Sequence, residues 1–386
     1  MEIKKILDSD IAGDYSKIND NFEYIRKTLD SHYASSQSTT IIIGFTGGCD
    51  VVLDPSATGH NEQISEALVS LPLGGKIILR EGTYSFNNSV SLSSNIILEG
   101  MGNSTIITTS NSISAVFSVS GSNNKIANVR FNTSSSNVIS LAGGGSYNIV
   151  ENCSFLLSSG TSGSIWLSSG RHDTIKGCVF EGVPTAIIIS SGDWHTIEGN
   201  RFISCSSPIT SWGSSGGVTK IVNNKFEHLS STAISHHSGH LVATSNTFSG
   251  SYSTGISMSS VPSAIIANNL FTGSSFSSGI CLSSSYNVTI ASNVFSSSSA
   301  ISTAISASSV NTIAITGNVF GHTWSGGVSV GVSISSGSKA NVSNNIFNNV
   351  LSHALATWAE NFTISDNIIT ASSSSTLIHV GWIIVK

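Results

Sequence analysis

IEGNRF at residues 197–202, IVNNKF at 221–226, IANNLF at 266–271, IASNVF at 290–295, ITGNVF at 315–320 and VSNNIF at 342–347 share one grammar: aliphatic, any, any, Asn, any, Phe. Looser copies end at Phe131, Phe155, Phe180, Phe248 and Ile369, which makes eleven copies at steps of 22 to 27 residues. Self-similarity at such a period is the signature of a solenoid, whose repeats bury their inner faces against one another.

The repeating unit reads as strand. A second apolar phrase stands about 13 residues before each Phe, for example AIIIS from Ala186, GISMS from Gly255, GICLS from Gly279 and GVSIS from Gly331. Both phrases alternate with period two and are bounded by Gly, Ser and Asn. The Asn of the hexapeptide is expected to turn the chain between two strands, because Asn tolerates left-handed backbone angles and bonds locally. With rungs stacked at ~4.8 Å, equivalent Asn, Ile and Phe side chains would form ladders.

Upstream lies NEQISEALVSLPLGGKIILREGTYSFNNSVSLSSNIILEGMGNSTII at residues 61–107: a short helical pattern, a G-G-x-I-x-L-x-x-G-x-Y strand, a strand pair and an L-x-G-x-G turn. Through this segment and the repeat, about residues 50–386 resemble the pectin-lyase-like superfamily of right-handed parallel β-helices, which includes bacteriophage tailspikes. The resemblance implies an all-β, right-handed parallel β-helix with a capping helix that plugs the first coil and hides its open sheet edge. That helix is expected over 62–70, capped by Asn61 or Ser65, with Ile64, Ala67 and Leu68 facing inward. Strands are expected at 41–43 and 51–53, and LIHVGWIIV at 377–385 would close the far end and offer an edge for subunit contact.

The chain divides into a helical attachment or oligomerisation segment at 1–33, a linker at 34–50, the first coils and cap at 51–110, the rungs at 111–375 and the closing strand at 376–386. In the first of these, DYSKINDNFEYIRKTLDS carries Ile18, Phe22, Ile25 and Leu29 at spacings of 4, 3 and 4, a coiled-coil seam. One and a half heptads cannot hold together alone, so this helix needs sister chains or a docking platform. Its K-I-N-x-N-F phrase resembles the leading segment of phage tail-fibre and baseplate-attached proteins.

Charged residues are sparse, 10% of the chain with a net charge of −5. Twelve of the 37 lie in the first 30 positions and none between His228 and Ser338, which leaves a surface of Ser, Thr, Asn and Gly. No basic stripe exists, so nucleic acid is not an expected partner. The opening MEIKKILDSD has no apolar signal core and no later stretch approaches a membrane span, so neither secretion nor membrane insertion is expected. The five cysteines form no metal pattern; Cys153 and Cys178 take the Asn position of adjacent rungs and read as buried thiols, within reach of a disulfide. No cofactor and no metal are expected.

Aligning the rungs on their Phe shows which side chains stack. Glu151, Lys176 and Glu198 stand four residues before it; Arg171 and Asp193 nine before; Tyr147, His172 and Trp194 eight before; Asp173 and His195 seven before. In the other phrase, Trp166 falls beside Ile188 and Trp212 beside His237. Aromatic faces stack on sugar rings, while Arg, Asp and His bond hydroxyls or acidic substituents. Trp166, Arg171, His172, Trp194, His195, Trp212 and His237 are therefore the glycan-binding candidates. If the chain hydrolyses glycan, it needs two carboxylates. Asp173 with Asp193, on adjacent rungs, suits a retaining pair at ~5 Å, and Glu151 with Glu198 suits an inverting pair at ~6.5–9.5 Å. Glu151–Lys176–Glu198 also reads as a solvated ion-pair ladder. The catalytic motifs of polygalacturonases and pectate lyases are absent; Ser238-Gly239-His240 is only a fragment.

Three functions fit. The first is a virion tail spike or fibre, a homotrimer that docks to tail or baseplate proteins by its N-terminal helix and binds host-surface polysaccharide by its β-helix. The second is a polysaccharide depolymerase, hydrolase or lyase, on the same scaffold. The third is a structural virion protein with an inert surface.

Overall fold

A computed structural model of the protein describes residues 40–109, 113–133, 137–157, 163–212, 216–297, 301–321, 328–371 and 376–380. The attachment segment with Ile18, Phe22, Ile25 and Leu29 lies outside the described residues, as does the end of the closing strand after Val380.

Each repeat makes three short strands. In one rung these are Thr196–Glu198, which carries the hexapeptide's aliphatic residue, Arg201–Ile203, which carries its Phe, and Ile209–Ser211 from the second phrase. Each pairs in parallel with its counterpart one rung on, with Ile197 opposite Ile221, Phe202 opposite Phe226 and Ile209 opposite Ile234. Among the described residues the first two strand types merge into one 26-stranded sheet folded at the corner, and the third forms a 13-stranded sheet across from it. The chain is a parallel β-helix, as the period implies.

Its core is built of columns. The side chains from Phe131 to Phe347 form nine consecutive stacked ring pairs, with centroids 4.6–5.1 Å apart and planes within 2–12°. The opposing strand must be small where these rings reach it. A methyl group at Gly279 would stand 2.5 Å from Phe295, and one at Gly255 the same distance from Phe271.

Asn200, Asn224, Asn246, Asn269, Asn293, Asn318, Asn345 and Asn367 form the expected ladder. From Asn224 on, each Oδ1 accepts the backbone N–H and the Nδ2–H of the Asn one rung below, at 2.9 and 3.0 Å for Asn246 to Asn269, and Asn200 Oδ1 accepts the Cys178 N–H. Each Nδ2 also donates to a carbonyl on the rung below, as Asn269 does to Ala243 at 2.9 Å. One expectation is corrected. The ladder Asn does not take the left-handed angle; the residue before it does, as at Gly199 (φ 63°), Asn223 (57°), Ser245 (59°), Asn268 (57°) and Ser292 (56°). The turning residue faces outward while the ladder Asn is buried and satisfies the corner's backbone. Cys153 and Cys178 continue this column as buried free thiols.

The strand expected at 41–43 is Thr40–Gly44, paired with Gly75–Leu79 with Ile43 opposite Leu79. The cap of the first coil differs from the reading. The cap helix α1, Asn61–Val69, buries Asn61, Ile64 and Ala67, but neither Asn61 nor Ser65 caps it; His60 stands at the N-cap with no capping bond, its ring Nδ1 accepting the Ser85 N–H at 2.9 Å instead. Asn61 Oδ1 instead accepts Asn87 N–H at 3.0 Å, which ties α1 to the next strand pair. Thr376–Val380 pairs with His353–Thr357 as the last described strand.

Candidate functional site

The turns that lead from the 13-stranded sheet back to the larger one carry the side chains singled out by the alignment. After Gly163–Leu167 the chain passes Gly170, Arg171, His172 and Asp173 before Thr174–Lys176. Tyr147 (φ 62°), His172 (58°) and Trp194 (63°) hold equivalent left-handed positions on three successive turns. That conformation costs a non-glycine residue roughly 1–2 kcal/mol, and inter-rung bonds hold it: Tyr147 N–H to Arg171 O at 2.9 Å and His172 N–H to Asp193 O at 3.0 Å. The left-handed residue projects outward and its successor, Asn148, Asp173 or His195, turns inward.

Outside, Tyr147 and His172 stack at 4.9 Å and 7°, and His172 and Trp194 at 6.2 Å and 16°. Tyr147 remains 58% exposed and Trp194 45%. The stacking covers the sides of the rings that face one another, while Tyr147 and Trp194, at the two ends of the stack, keep about half of their surface exposed. Arg171 and Asp193 form a parallel bridge beside it, their charged groups 3.7 Å apart. Trp166 lies opposite Ile188 and donates its indole N–H to Ser190 Oγ at 2.7 Å. Trp212 stacks on His237 at 6.3 Å and 15°, and His237 contacts the Ser235 and Ser259 hydroxyls at 2.9 Å.

Inside, the arrangement corrects two assignments. Asn124, Asn148 and Asp173 form a second ladder: Asn148 donates its backbone N–H and Nδ2–H to Asp173 Oδ1 at 2.9 and 3.1 Å. His195 Nδ1 stands 3.5 Å from the other carboxylate oxygen, and the two side chains are 0% and 1% exposed. Burial pushes Asp173 up to about 6, against the bonds from Asn148, and pushes His195 down to about 4. His195 therefore cannot touch a glycan on the surface, and Asp173 cannot meet a glycosidic bond there. The two are part of the core, on the inner side of the turns that display the stack.

Of the other candidate carboxylates, Glu151 is tied into an ion-pair ladder. Glu151 lies between Lys125 Nζ at 2.5 Å and Lys176 Nζ at 3.3 Å. Those ammonium groups hold its carboxyl below the ordinary range. Lys176 stands in register between Glu151 and Glu198, and its ammonium lies 3.3 Å from Glu151. Among the described residues no group of three or more His, Cys, Asp or Glu has a geometry that could hold a metal, and no helix is long and apolar enough to cross a membrane.

The alignment of rungs missed one more cluster. Tyr286, Trp358, Glu360 and Lys339 line clefts on the same row of turns near the far end of the tube. Trp358 directly follows strand His353–Thr357 as Trp212 follows Ile209–Ser211, so aligning the second phrase would have exposed it.

A family model described as a right handed beta helix region matches residues 207–369. No curated protein matches the chain in sequence. Among solved structures it is similar to the surface protein and adhesin PfbA of Streptococcus pneumoniae, at 15% identity and a TM-score of 0.59 over 84% of this chain and 96% of that one. It is also similar to a mutant tailspike protein of E. coli bacteriophage HK620 in complex with pentasaccharide, at 12% identity and 0.59 over 88% and 78%. A third is the A-module of the mannuronan C-5 epimerase AlgE6 of Azotobacter vinelandii, at 14% identity and 0.56 over 81% and 96%. These likenesses show the fold, a right-handed parallel β-helix, which a phage tailspike also has.

Proposed function

We propose that this protein is a polysaccharide-binding β-helix of a phage tail, in which residues 1–33 dock to tail or baseplate proteins and a trimer of solenoids presents its turns to host-surface glycan. One observation carries the reading. One row of turns displays Tyr147, His172, Trp194, Trp212, Arg171 and Asp193 together on inter-bonded backbone. Such a strip offers what sugars require: apolar ring surface beside paired polar groups, already immobilised before binding. The likeness to a tailspike in complex with pentasaccharide and to an adhesin supports it.

Depolymerisation is the weaker reading, since Asp173 is enclosed and Glu151 is neutralised by two lysines. Incubating the full chain with purified capsular polysaccharide, while following both retention and chain length, tests the proposal. Retention that Trp194→Ala weakens, with unchanged chain length, is the expected result. Shortened chains would favour the depolymerase, and no retention on any host polysaccharide would leave the structural spike.

A further inference from the structure

We infer that the C-terminal half of the tube carries the face by which copies of this chain pack side by side, an outward row of Leu270, Val294, Val319, Ile346 and Ile368. The inference rests on the trimer of the proposed function and says where its solenoids meet.

The five residues share one position, directly before the Phe of each repeat or, in the last, before Ile369. Each is in register with the next: Leu270 opposite Val294, Val294 opposite Val319, Val319 opposite Ile346 and Ile346 opposite Ile368. Leu270, Val294 and Ile346 are 37–40% exposed and Ile368 63%. A single outward valine suits a strand and needs no further account. Five aliphatic side chains in one column, ~19 Å long at the rung spacing, form a continuous apolar ridge. Thr272, Ser296 and Gly321 stand beside it on the same strands and are shorter, so the ridge rises above its flank.

The same column is ionic further down. Below Leu270 come Thr247, Lys225 and Arg201, and the last two pair with Glu227. Surface ion pairs gain little by leaving water, whereas aliphatic side chains gain by it. Contact is therefore confined to the upper rungs. Three features make a second copy of this chain the occupant. No Asp, Glu, Lys or Arg occurs between His228 and Ser338, so most of the ridge offers no charge to an ionic partner and two copies meet there without repulsion. The ridge repeats at the rung spacing, a pitch that another copy of the tube matches side chain for side chain. Finally, the seam of Ile18, Phe22, Ile25 and Leu29 is too short to hold without sister chains, and it would gather them with equivalent rungs at equal height. That gathering is needed. The ridge and its flanking column offer roughly 240 Å² per chain at ~4.8 Å per rung, against about 800 Å² per partner in an interface that stands alone. Chains tethered at their N-termini meet at millimolar effective concentration, where so small a face can hold.

Disulfide trapping in the full chain tests this. With equivalent rungs at equal height, Val294→Cys on one chain faces the same substitution on another. Mild oxidation with copper phenanthroline should then give a dimer band on non-reducing gels that dithiothreitol removes. Ser333→Cys, on the opposite sheet of the rung that carries Ile346, should give less than about a tenth of that band, as should the wild type with its own cysteines. Val294→Lys combined with Ile346→Lys should raise the dissociation concentration in sedimentation equilibrium at least about tenfold, with unchanged circular dichroism. Equal bands from Val294→Cys and Ser333→Cys, no band from Val294→Cys, or a monomeric wild type overturns the ridge. Capsular retention of such a chain would leave the polysaccharide reading standing. A dimer trapped through Val294→Cys that no host polysaccharide retains would leave the ridge and remove that reading.

Discussion

At the scale of single residues, Asp173 and His195 are the most informative pair. Asp173 has its folded value raised from 3.8 to about 6, so the folded chain binds a proton there more readily than the unfolded chain. Its contribution to stability is greatest in acid and is lost as pH rises through about 6. His195 is the reverse: lowered from 6.5 to about 4, it contributes stability near neutrality that is lost as pH falls from 6.5 through about 4. The two trends oppose each other, so the wild type should melt at nearly constant temperature over that range as far as this pair decides. Asp173→Asn keeps the acceptor for Asn148 and removes the compensating trend. We expect it to lose on the order of 2–3 kcal/mol as pH falls from about 6.5 to about 4. His195→Leu, which places in the column the residue type found at Leu241, should instead gain stability below about pH 6. Thermal melts at half-unit pH steps decide, and parallel profiles for both variants would refute the assignment. The same pair marks the limit of reading the site from sequence. Counting back from Phe180 and Phe202 puts both residues in the right column, but period-two alternation fails within a turn. His172 points out and Asp173 in because of a backbone angle that residue identity does not announce.

At the scale of the rung, the corner between the two strands of the larger sheet carries the polar cost of the fold. Asn269 accepts two donors from Asn246 and gives one to Ala243 O and another to Asn293. Asn269→Ala strands the buried N–H groups of Asn246, and each unsatisfied buried group costs about 1–3 kcal/mol. A loss of about 2–4 kcal/mol is expected in denaturant midpoint measurements, whereas Asn268→Gly, at the outward left-handed position, should be close to neutral. Comparable losses at both positions would mean that the turn, rather than the ladder, holds the corner. The period, the three strands and the Phe column were legible because each depends on spacing and alternation alone. Which Asn of an Asn-Asn pair turns the chain was not, since 223–224, 268–269 and 344–345 offer two equal candidates. Gly177, Gly199 and Gly317, each just before a ladder position, were the signal that settles it. The helix cap escaped for a related reason: Asn61 is drawn off by Asn87 one coil away, a long-range bond that outweighs local capping preference.

At the scale of the molecule, each strand beyond the first coils pairs, among the described residues, only with its counterparts on the neighbouring rungs, so stability is a sum of rungs and their interfaces. One entire rung is then expendable. Deleting residues 249–271 joins Phe248 to Thr272, which already follows a Phe of the same column. After the deletion Phe295 would stack on Phe248 and Asn293 would accept from Asn246, both by the geometry of the original ladders. The shortened chain should keep its β-type circular dichroism and cooperative unfolding, and should shorten by about 4.8 Å in small-angle scattering. It should also keep the aromatic strip at Tyr147, His172 and Trp194, which lies on rungs before the deleted one. Deleting twelve residues instead, half a rung, would set strand against corner and Phe against turn, and should abolish folding. If the full-rung deletion unfolds the chain as the half-rung deletion does, coupling reaches beyond nearest neighbours and the tube is held by something other than its stacked columns.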